Sequence, residues 1–250
     1  MARSAAASAL TDRHRQDQIR LRAVTVRDLL RLWALFDPAD ISTSWGRIEP
    51  AIVGLIQSRR GLSSRIAGHY IEAFRRAEEV AGSAQTILAP PLADLDIVPN
   101  LRLVGPEHAL GMAHKARRPS DIAKVALTNI EGEVTRQVLN GGRETITGTV
   151  AGDRHALGYA RVTDGSPCSF CAMLAGRGAV YRSEMSGGFH AHRKCGCTAE
   201  PVYSATQPLP QSADRWSDLY KQVASSVSHN TDDWAAEVRR EFRRRYDAAV

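Results

Sequence analysis

The sequence predicts a mostly α-helical protein that carries one small cysteine- and histidine-rich knuckle with short strands. Apolar residues recur every three or four positions over long tracts, and aromatic residues make up only 6% of the chain. All four cysteines fall between residues 168 and 197, which is the spacing of a compact closed loop. The 43% hydrophobic content is enough to build a core, and 250 residues can form one large domain or two small ones.

The N-terminal region, residues 1–83, is expected to form a helical hairpin. After a frayed or weakly helical tail, apolar residues follow helical spacing from residue 10 to 36, where Asp37-Pro38 ends the stretch. Ser42-Thr43-Ser44 can cap a second helix that is expected to run to about residue 82. The two apolar stripes are Ile19, Val24, Leu29, Leu30, Trp33 and Phe36, and Leu55, Leu62, Ile66, Tyr70 and Phe74. Both stripes are assigned to the hydrophobic core, and no catalytic or binding role is assigned to them.

The next region, residues 84–105, is expected to be an extended connector between subdomains. Pro90-Pro91 and Pro99 interrupt its short apolar runs, and proline disfavours helix at the residue before it. A short helical segment is expected at 106–116.

A strong central helix is predicted to begin at Pro119-Ser120-Asp121. Apolar residues follow at intervals of four, and Asn140-Gly141-Gly142 has the composition of a helix end. Residues 143–163 alternate weakly, so we expect a strand, or a short helix and a strand, leading into the cysteines.

The tail, residues 206–250, is expected to be basic, amphipathic and helical. It carries two apolar stripes, Trp216, Leu219, Tyr220, Val223 and Val227, and Trp234, Val238, Phe242 and Tyr246. Its candidate nucleic-acid contacts are Arg239, Arg240, Arg243, Arg244 and Arg245. The same arginines can form a solvated helix face, because Glu237 and Glu241 stand three or four residues before two of them. No aromatic stacking platform accompanies the run, which favours the solvated face.

The net charge of +6 permits contact with nucleic acid or with an acidic protein surface, although a solvated arginine-rich surface accounts for it equally well. Residues 1–22 contain seven charged side chains and no apolar signal core, and no window approaches the roughly 20 apolar residues of a membrane helix. We therefore expect folding in a reducing cytoplasm, where clustered thiols favour metal over disulfides.

The cysteines form two close pairs, C-x-x-C and C-x-C, with histidines just before the second pair. Zinc takes four ligands in tetrahedral geometry, often two from each of two short loops. The candidate ligands are Cys168, Cys171, His192, Cys195 and Cys197, which is one more than a single zinc needs. An all-cysteine site leaves the histidine outside, and a site with the histidine leaves one cysteine out.

Three other interpretations of the cysteines stay open. They could pair as disulfides after release from the cell, or pack as small reduced hydrophobic side chains. The C-x-x-C could also be a redox motif after a strand at Tyr159–Val162. The downstream C-x-C argues against this, because a thioredoxin-type site does not need it.

A longer pattern surrounds these pairs: Asp-Gly, C-x-x-C, Leu-x-Gly, then His-x-x-C-x-C followed by proline. Its positions are Asp164, Gly165, Cys168, Cys171, Leu174, Gly176, His192, Cys195, Cys197 and Pro201. This pattern resembles the C-terminal segment of MuF-like phage head morphogenesis proteins. The run from Ala156 to Tyr203 is similar to a subgroup from phages and prophages of actinobacteria, whose members are often labelled capsid maturation protease or minor head protein. Many members have His-Pro-Asn-Cys-Arg-Cys, whereas this chain has His192-Arg193-Lys194-Cys195-Gly196-Cys197 and lacks the rigid proline.

The resemblance implies that residues 106–205 form a MuF-like region and that the chain is a minor head protein. Its implied partners are the portal protein, the major capsid protein and, as a candidate, packaged DNA, with no membrane. The implied location is the host cytoplasm during assembly and then the virion head. The spacing of the cysteines, and not the resemblance, predicts one structural zinc as cofactor. The alternatives are a capsid maturation protease that trims capsid or scaffold protein, and a cytosolic zinc-knuckle adaptor or nucleic-acid-binding module.

The protease alternative needs a nucleophile, a base and an orienting acid. The candidates are Ser166, Ser169 and Ser186 as nucleophile, His155, His190 and His192 as base, and Asp153 and Asp164 as acid. Neither G-x-S-x-G nor H-E-x-x-H is present in the sequence. A pair of Cys168 and His192 would be lost if these residues bound metal. No catalytic residue is therefore assigned, and the protease interpretation depends on the family label alone.

Overall fold

The architecture comes from a computed structural model that describes residues 3–82, 84–178, 189, 191–228 and 233–250. It is mostly helical with one small sheet, which confirms the predicted fold class. The elements are α1 (Ala5–Trp33), α2 (Ile41–Ala77), α3 (Asp94–Val104), α4 (Pro106–His114), α5 (Pro119–Gly152), β1 (Gly158–Val162), α6 (Ser169–Gly176), β2 (Thr198–Val202), α7 (Gln211–Ser226) and α8 (Trp234–Ala249). Among the described helices, none combines the length and the apolar content that a membrane crossing requires.

Helix α1 differs from its prediction at its start and on its buried face. It begins at Ala5, because the Ser4 side chain accepts a hydrogen bond from the Ala7 amide at 3.1 Å and caps the first turn. Leu30, assigned to the apolar stripe, is 47% exposed. The buried face instead includes four polar residues, Thr11, His14, Gln18 and Thr25. Apolar periodicity missed Thr11, His14 and Gln18 because each is hydrogen-bonded to a partner that is distant in sequence.

Helix α5 does not end at Asn140-Gly141-Gly142, so that prediction is wrong. It continues to Gly152 because the two glycines lie against α2. A Cβ on Gly141 would stand 2.4 Å from the carbonyl oxygen of Arg60, and one on Gly142 would stand 2.9 Å from Ser63 Oγ. The glycines therefore allow two long helices to approach closely. In the sequence alone, such a pair of glycines cannot be told from the glycines that end a helix.

The expected extended connector is also partly wrong, because residues 94–104 form α3 with Pro99 inside it. Ile97 and Leu101 are fully buried and anchor this helix. The remaining connector is held on α5, where the Ile87 amide donates to Thr149 Oγ1 at 2.9 Å. The helix expected at 106–116 is confirmed as α4. The division into four regions stays a prediction, since it concerns independent folding.

Two large apolar clusters form the core, and α1, α2 and α5 contribute to both. One joins α1–α5 through residues such as Ile52, Leu101 and Ile130. The other joins the ends of α2 and α5 to β1, α6, β2, α7 and α8, and includes Phe74, Trp216 and Phe242. The two stripes predicted for the tail thus lie on two separate helices that pack against α6.

Strands β1 and β2 pair antiparallel, with Gly158 opposite Val202 and Val162 opposite Thr198. Every residue of both strands is buried. β1 leads into the cysteine segment and β2 leads out of it, so the two-stranded ribbon brings both ends of that segment together.

Candidate metal centre

The four cysteines are positioned by the start of α6 and by the loop before β2. Cys168 is the N-cap of α6 and Cys171 lies in its first turn, so the helix holds both sulfurs on one side. Cys195 and Cys197 immediately precede β2, and the ribbon fixes them opposite α6. All four cysteines are free thiols in the structure, which therefore does not contain the disulfides of the alternative interpretation.

The sulfur of Cys171 is central to the site. It lies 3.5 Å from the Sγ of Cys195 and 3.5 Å from the Nε2 of His192, which itself lies 2.8 Å from the Sγ of Cys168. The donor atoms form two overlapping groups, each within 4.8 Å, one with Cys168 and His192 and one with Cys195 and Cys197. Zinc–sulfur bonds of about 2.3 Å place tetrahedral sulfur ligands about 3.8 Å apart. The cluster could therefore hold a metal ion.

His192 is oriented as metal-binding histidines usually are. Its Nδ1 donates to the carbonyl oxygen of Arg193 at 2.6 Å, which leaves Nε2 facing the sulfurs. A backbone carbonyl on the second nitrogen commonly fixes the tautomer of a ligating histidine.

The thiols differ in proton affinity because they contact one another and two cations. The pKa of Cys168 is lowered to about 5 by its hydrogen bonds with Cys171 and by the nearby His192. Hydrogen bonds from Cys171 and Cys197 also lower the pKa of Cys195, with help from the Arg143 charge. The pKa of Cys171 is raised, first by its hydrogen bond to Cys168. The cluster thus favours the thiolate, the form that binds metal, at Cys168 and Cys195 but not at Cys171.

Two arginines beside the cluster were missed by the sequence analysis. Arg143 on α5 and Arg161 on β1 are each 1% exposed, and Phe189 lies against both guanidinium groups. No local spacing signals either residue, since both come close to the cysteines only through the extension of α5 and the pairing of β1.

Two residues of the MuF-like pattern shape the turn before α6. Gly165 has a φ of +105°, a conformation that residues with a side chain rarely adopt. The Asp164 carboxylate lies against Gly196, where a Cβ would stand only 2.1 Å from Asp164 Oδ2. Gly196, the residue between the last two cysteines, thus leaves room for the Asp164 side chain.

The other residues of the pattern serve packing. Leu174 is 7% exposed, and a Cβ on Gly176 would stand 2.3 Å from the carbonyl oxygen of Trp216, so α6 and α7 touch there. Pro201 lies in β2 opposite Tyr159.

Among the described residues, the serine candidates are not brought together with a histidine. The thiol–imidazole pair of Cys168 and His192 is formed, at 2.8 Å, but these two residues are also candidate metal ligands. Asp153 accepts hydrogen bonds from Arg75 at 2.9 Å and from the His155 amide at 3.0 Å. No described hydrogen bond joins Ser166 or Ser169 to a histidine side chain. His190 and Ser186 lie outside the described residues.

The C-terminal arginines are largely paired along α8. Arg244 and Arg245 bind Glu241 at 2.7 and 2.6 Å. Arg240 lies 3.9 Å from Glu237, and Arg243 lies 3.8 Å from Asp247. Such pairing fits a solvated helix face, and DNA contact by these residues and the exposed Arg239 stays a prediction.

A buried polar network that the sequence analysis also missed holds β2 against α1 and α2. Thr11 donates to Glu200 at 2.6 Å, and Arg3 binds the same carboxylate at 2.8 Å. The His14 ring stacks on Tyr70 with centroids 4.4 Å apart, and burial lowers its pKa to about 3. The Nε2 of His14 lies 2.9 Å from Thr198 Oγ1, one residue from the last cysteine.

Comparison with known proteins assigns the chain to a family. The model of a family described as VG15 protein matches residues 5–223, which include the long helices and the whole cysteine segment. The chain belongs to the VG15 protein family. This is a viral protein family, and membership indicates a phage protein. No curated protein and no solved structure gives a significant match to the chain.

Proposed function

We propose that the chain is a phage head morphogenesis protein, a minor capsid component that acts with the portal protein and the major capsid protein in procapsid assembly or maturation. Membership of the VG15 family across residues 5–223 supports a phage role. The resemblance to MuF-like proteins at the cysteine segment supports the finer assignment to the head. On this proposal the protein acts in the host cytoplasm and then resides in the virion head, with packaged DNA as a further candidate contact.

The chemical part of the proposal is a structural zinc in the knuckle, and the convergence of five donor atoms around Cys171 carries it. Thiolate and imidazole donors suit zinc, and within each of the two overlapping groups of three the donor atoms lie within 4.8 Å of one another. The proposed ligands are Cys168, Cys171, Cys195 and either Cys197 or His192. Bound zinc would supply a cross-link between the start of α6 and the loop before β2.

A site closed by four protein ligands has no open position for substrate, so the knuckle is proposed as a folding staple for a docking surface. The serine-protease alternative lacks a supporting contact among the described residues, because the candidate serines and histidines are not hydrogen-bonded to one another. The Cys168–His192 pair is formed, but it would be lost on zinc binding, because Cys168 is a proposed ligand.

The function is tested by assembling procapsids with variants of the chain. Replacing His155, Ser166 or Ser169 by alanine should leave assembly nearly intact. Cys171→Ser should remove the protein from procapsids through misfolding, and Cys197→Ser should do the same if Cys197 is the fourth zinc ligand. A folded serine or histidine variant that stops shortening of the capsid protein would instead establish the protease alternative.

The fourth ligand is tested by comparing His192→Asn with Cys197→Ser. Cobalt in place of zinc reports thiolate ligands through its sulfur charge-transfer absorption. If Cys197 is the ligand, only Cys197→Ser weakens that absorption; if His192 is the ligand, His192→Asn lowers metal affinity and Cys197→Ser leaves the thiolate absorption unchanged.

A further inference from the structure

Arg161 is a fully buried cation that faces the sulfurs of the knuckle. It is 1% exposed, and its Nη1 lies 3.9 Å from the Sγ of Cys171 and 3.9 Å from the Sγ of Cys195. Its guanidinium carbon lies 3.7 Å from the centre of the Phe189 ring. The ring covers the guanidinium on one face while the thiol sulfurs lie at its edge.

Arg143 is a second fully buried cation that holds the backbone of the same loop. Its Nε donates to the carbonyl oxygen of Cys197 at 2.9 Å, and its Nη2 donates to that of Cys195 at 2.5 Å. Its Nη1 donates to the Asn140 side chain at 2.8 Å. These acceptors are neutral, so they bind the guanidinium hydrogens without balancing its charge.

Burying a guanidinium is costly unless an opposite charge lies close by. Neutral thiols supply no negative charge to the guanidinium groups, whereas a zinc site does. One zinc with four thiolates carries two negative charges, and one zinc with three thiolates and a neutral histidine carries one. The thiolates and the arginines should therefore stabilise each other, and metal binding should stabilise both.

We propose that Arg143 and Arg161 are the counter-charges of the metal–thiolate centre and set its metal affinity without being ligands. This inference rests on the proposed zinc site. Arg161 acts on the sulfurs, and Arg143 holds the two carbonyl groups of the C-x-C loop so that both sulfurs face Cys171.

The positive charge of the two arginines also limits the centre to one ion. The two overlapping donor groups share Cys171, which by geometry alone could bridge two metal ions. A second divalent ion would add two positive charges beside two buried guanidinium groups, so the arginines oppose it.

The test measures zinc affinity of the full chain by competition with a chromophoric chelator. Arg161→Gln and Arg143→Gln should each lower affinity roughly 10–100-fold, the usual effect of removing a residue that supports metal ligands. Arg161→Lys, which keeps the charge, should recover most of the loss. The cobalt charge-transfer band should also shift in Arg161→Gln, because the charge beside the sulfurs is lost.

Arg60→Gln is the matched control. Arg60 is 2% exposed and forms an ion pair with Glu144, on the part of α5 that faces α2. Its loss should lower stability and leave zinc affinity unchanged. The inference is overturned if the wild type binds zinc and both glutamine variants bind it equally well, or if Arg60→Gln weakens binding as much as they do. A wild type that binds no zinc would overturn the zinc proposal and this inference together, while leaving the head assignment to the procapsid test.

Discussion

The long-helix core and the cysteine knuckle of this chain reach their folded forms by different means. Helices α1, α2 and α5 bury apolar side chains over many turns, and α2 and α5 approach closely at glycines 141 and 142. The knuckle collects donor atoms within a segment of thirty residues, and its fully buried side chains include two arginines. Burial of apolar surface is sufficient for the first region. The second region buries two cations, and in the proposed zinc site the metal-bound thiolates balance their charge.

The largest expected effect comes from removing the central sulfur. Cys171→Ser should abolish metal binding and unfold the knuckle, because in small zinc peptides the binding energy, on the order of 10 kcal/mol, is folding energy. Hydrogen exchange should show lost protection in β1, α6 and β2, with α2 and α5 still protected. Ser169→Ala, in the same turn, is the control and should keep its metal. Retained protection in β2 of the Cys171 variant would contradict the contrast between the regions.

The next effect breaks the helix core and leaves the knuckle alone. In Gly141→Ala, the new Cβ would stand 2.4 Å from the Arg60 carbonyl oxygen, a backbone atom that cannot move away cheaply. We expect a loss of about 1–3 kcal/mol in the free energy of urea unfolding.

Gly148→Ala on the same helix is the matched control for Gly141→Ala. Its nearest neighbour would be 3.7 Å away, an ordinary contact, so a gain of about 0.5–1 kcal/mol is expected. Zinc content should be unchanged in both variants. Equal effects of the two substitutions would show that close approach of α2 and α5 does not explain Gly141.

The smallest effect concerns the polar network that joins the two regions. Burial lowers the pKa of His14 from 6.5 to about 3, so the folded state disfavours the charged ring. The contribution of the neutral ring to the free energy of unfolding is fully present above pH 6.5. It is lost as the pH falls toward 3, by about 1.4 kcal/mol per pH unit. His14→Phe keeps the stacking on Tyr70 but cannot titrate. Its stability deficit at pH 7.5 should therefore shrink at pH 5.5, as measured by urea unfolding; a constant deficit would exclude this role for His14.

The sequence was most informative where local pattern determines structure. Apolar spacing predicted the helical class and the two tail stripes, and cysteine spacing predicted which side chains converge. It was misleading at Gly141-Gly142 and on the buried face of α1. The close contact of these glycines with α2 and the hydrogen bonds of the buried polar residues of α1 both depend on partners remote in sequence. Arg143 and Arg161 could not be found for the same reason. Arginine side chains are mostly exposed, so the burial of one cannot be predicted without knowing its neighbours in space.

Metal content and hydrogen exchange of freshly purified, reduced protein test the central claim most directly. The account predicts about one zinc per chain. After removal by a chelator, protection should be lost in β1, α6 and β2 while α2 and α5 keep theirs. Protein that contains no zinc, or a knuckle whose protection is unchanged without it, would contradict the claim that a metal ion closes this site.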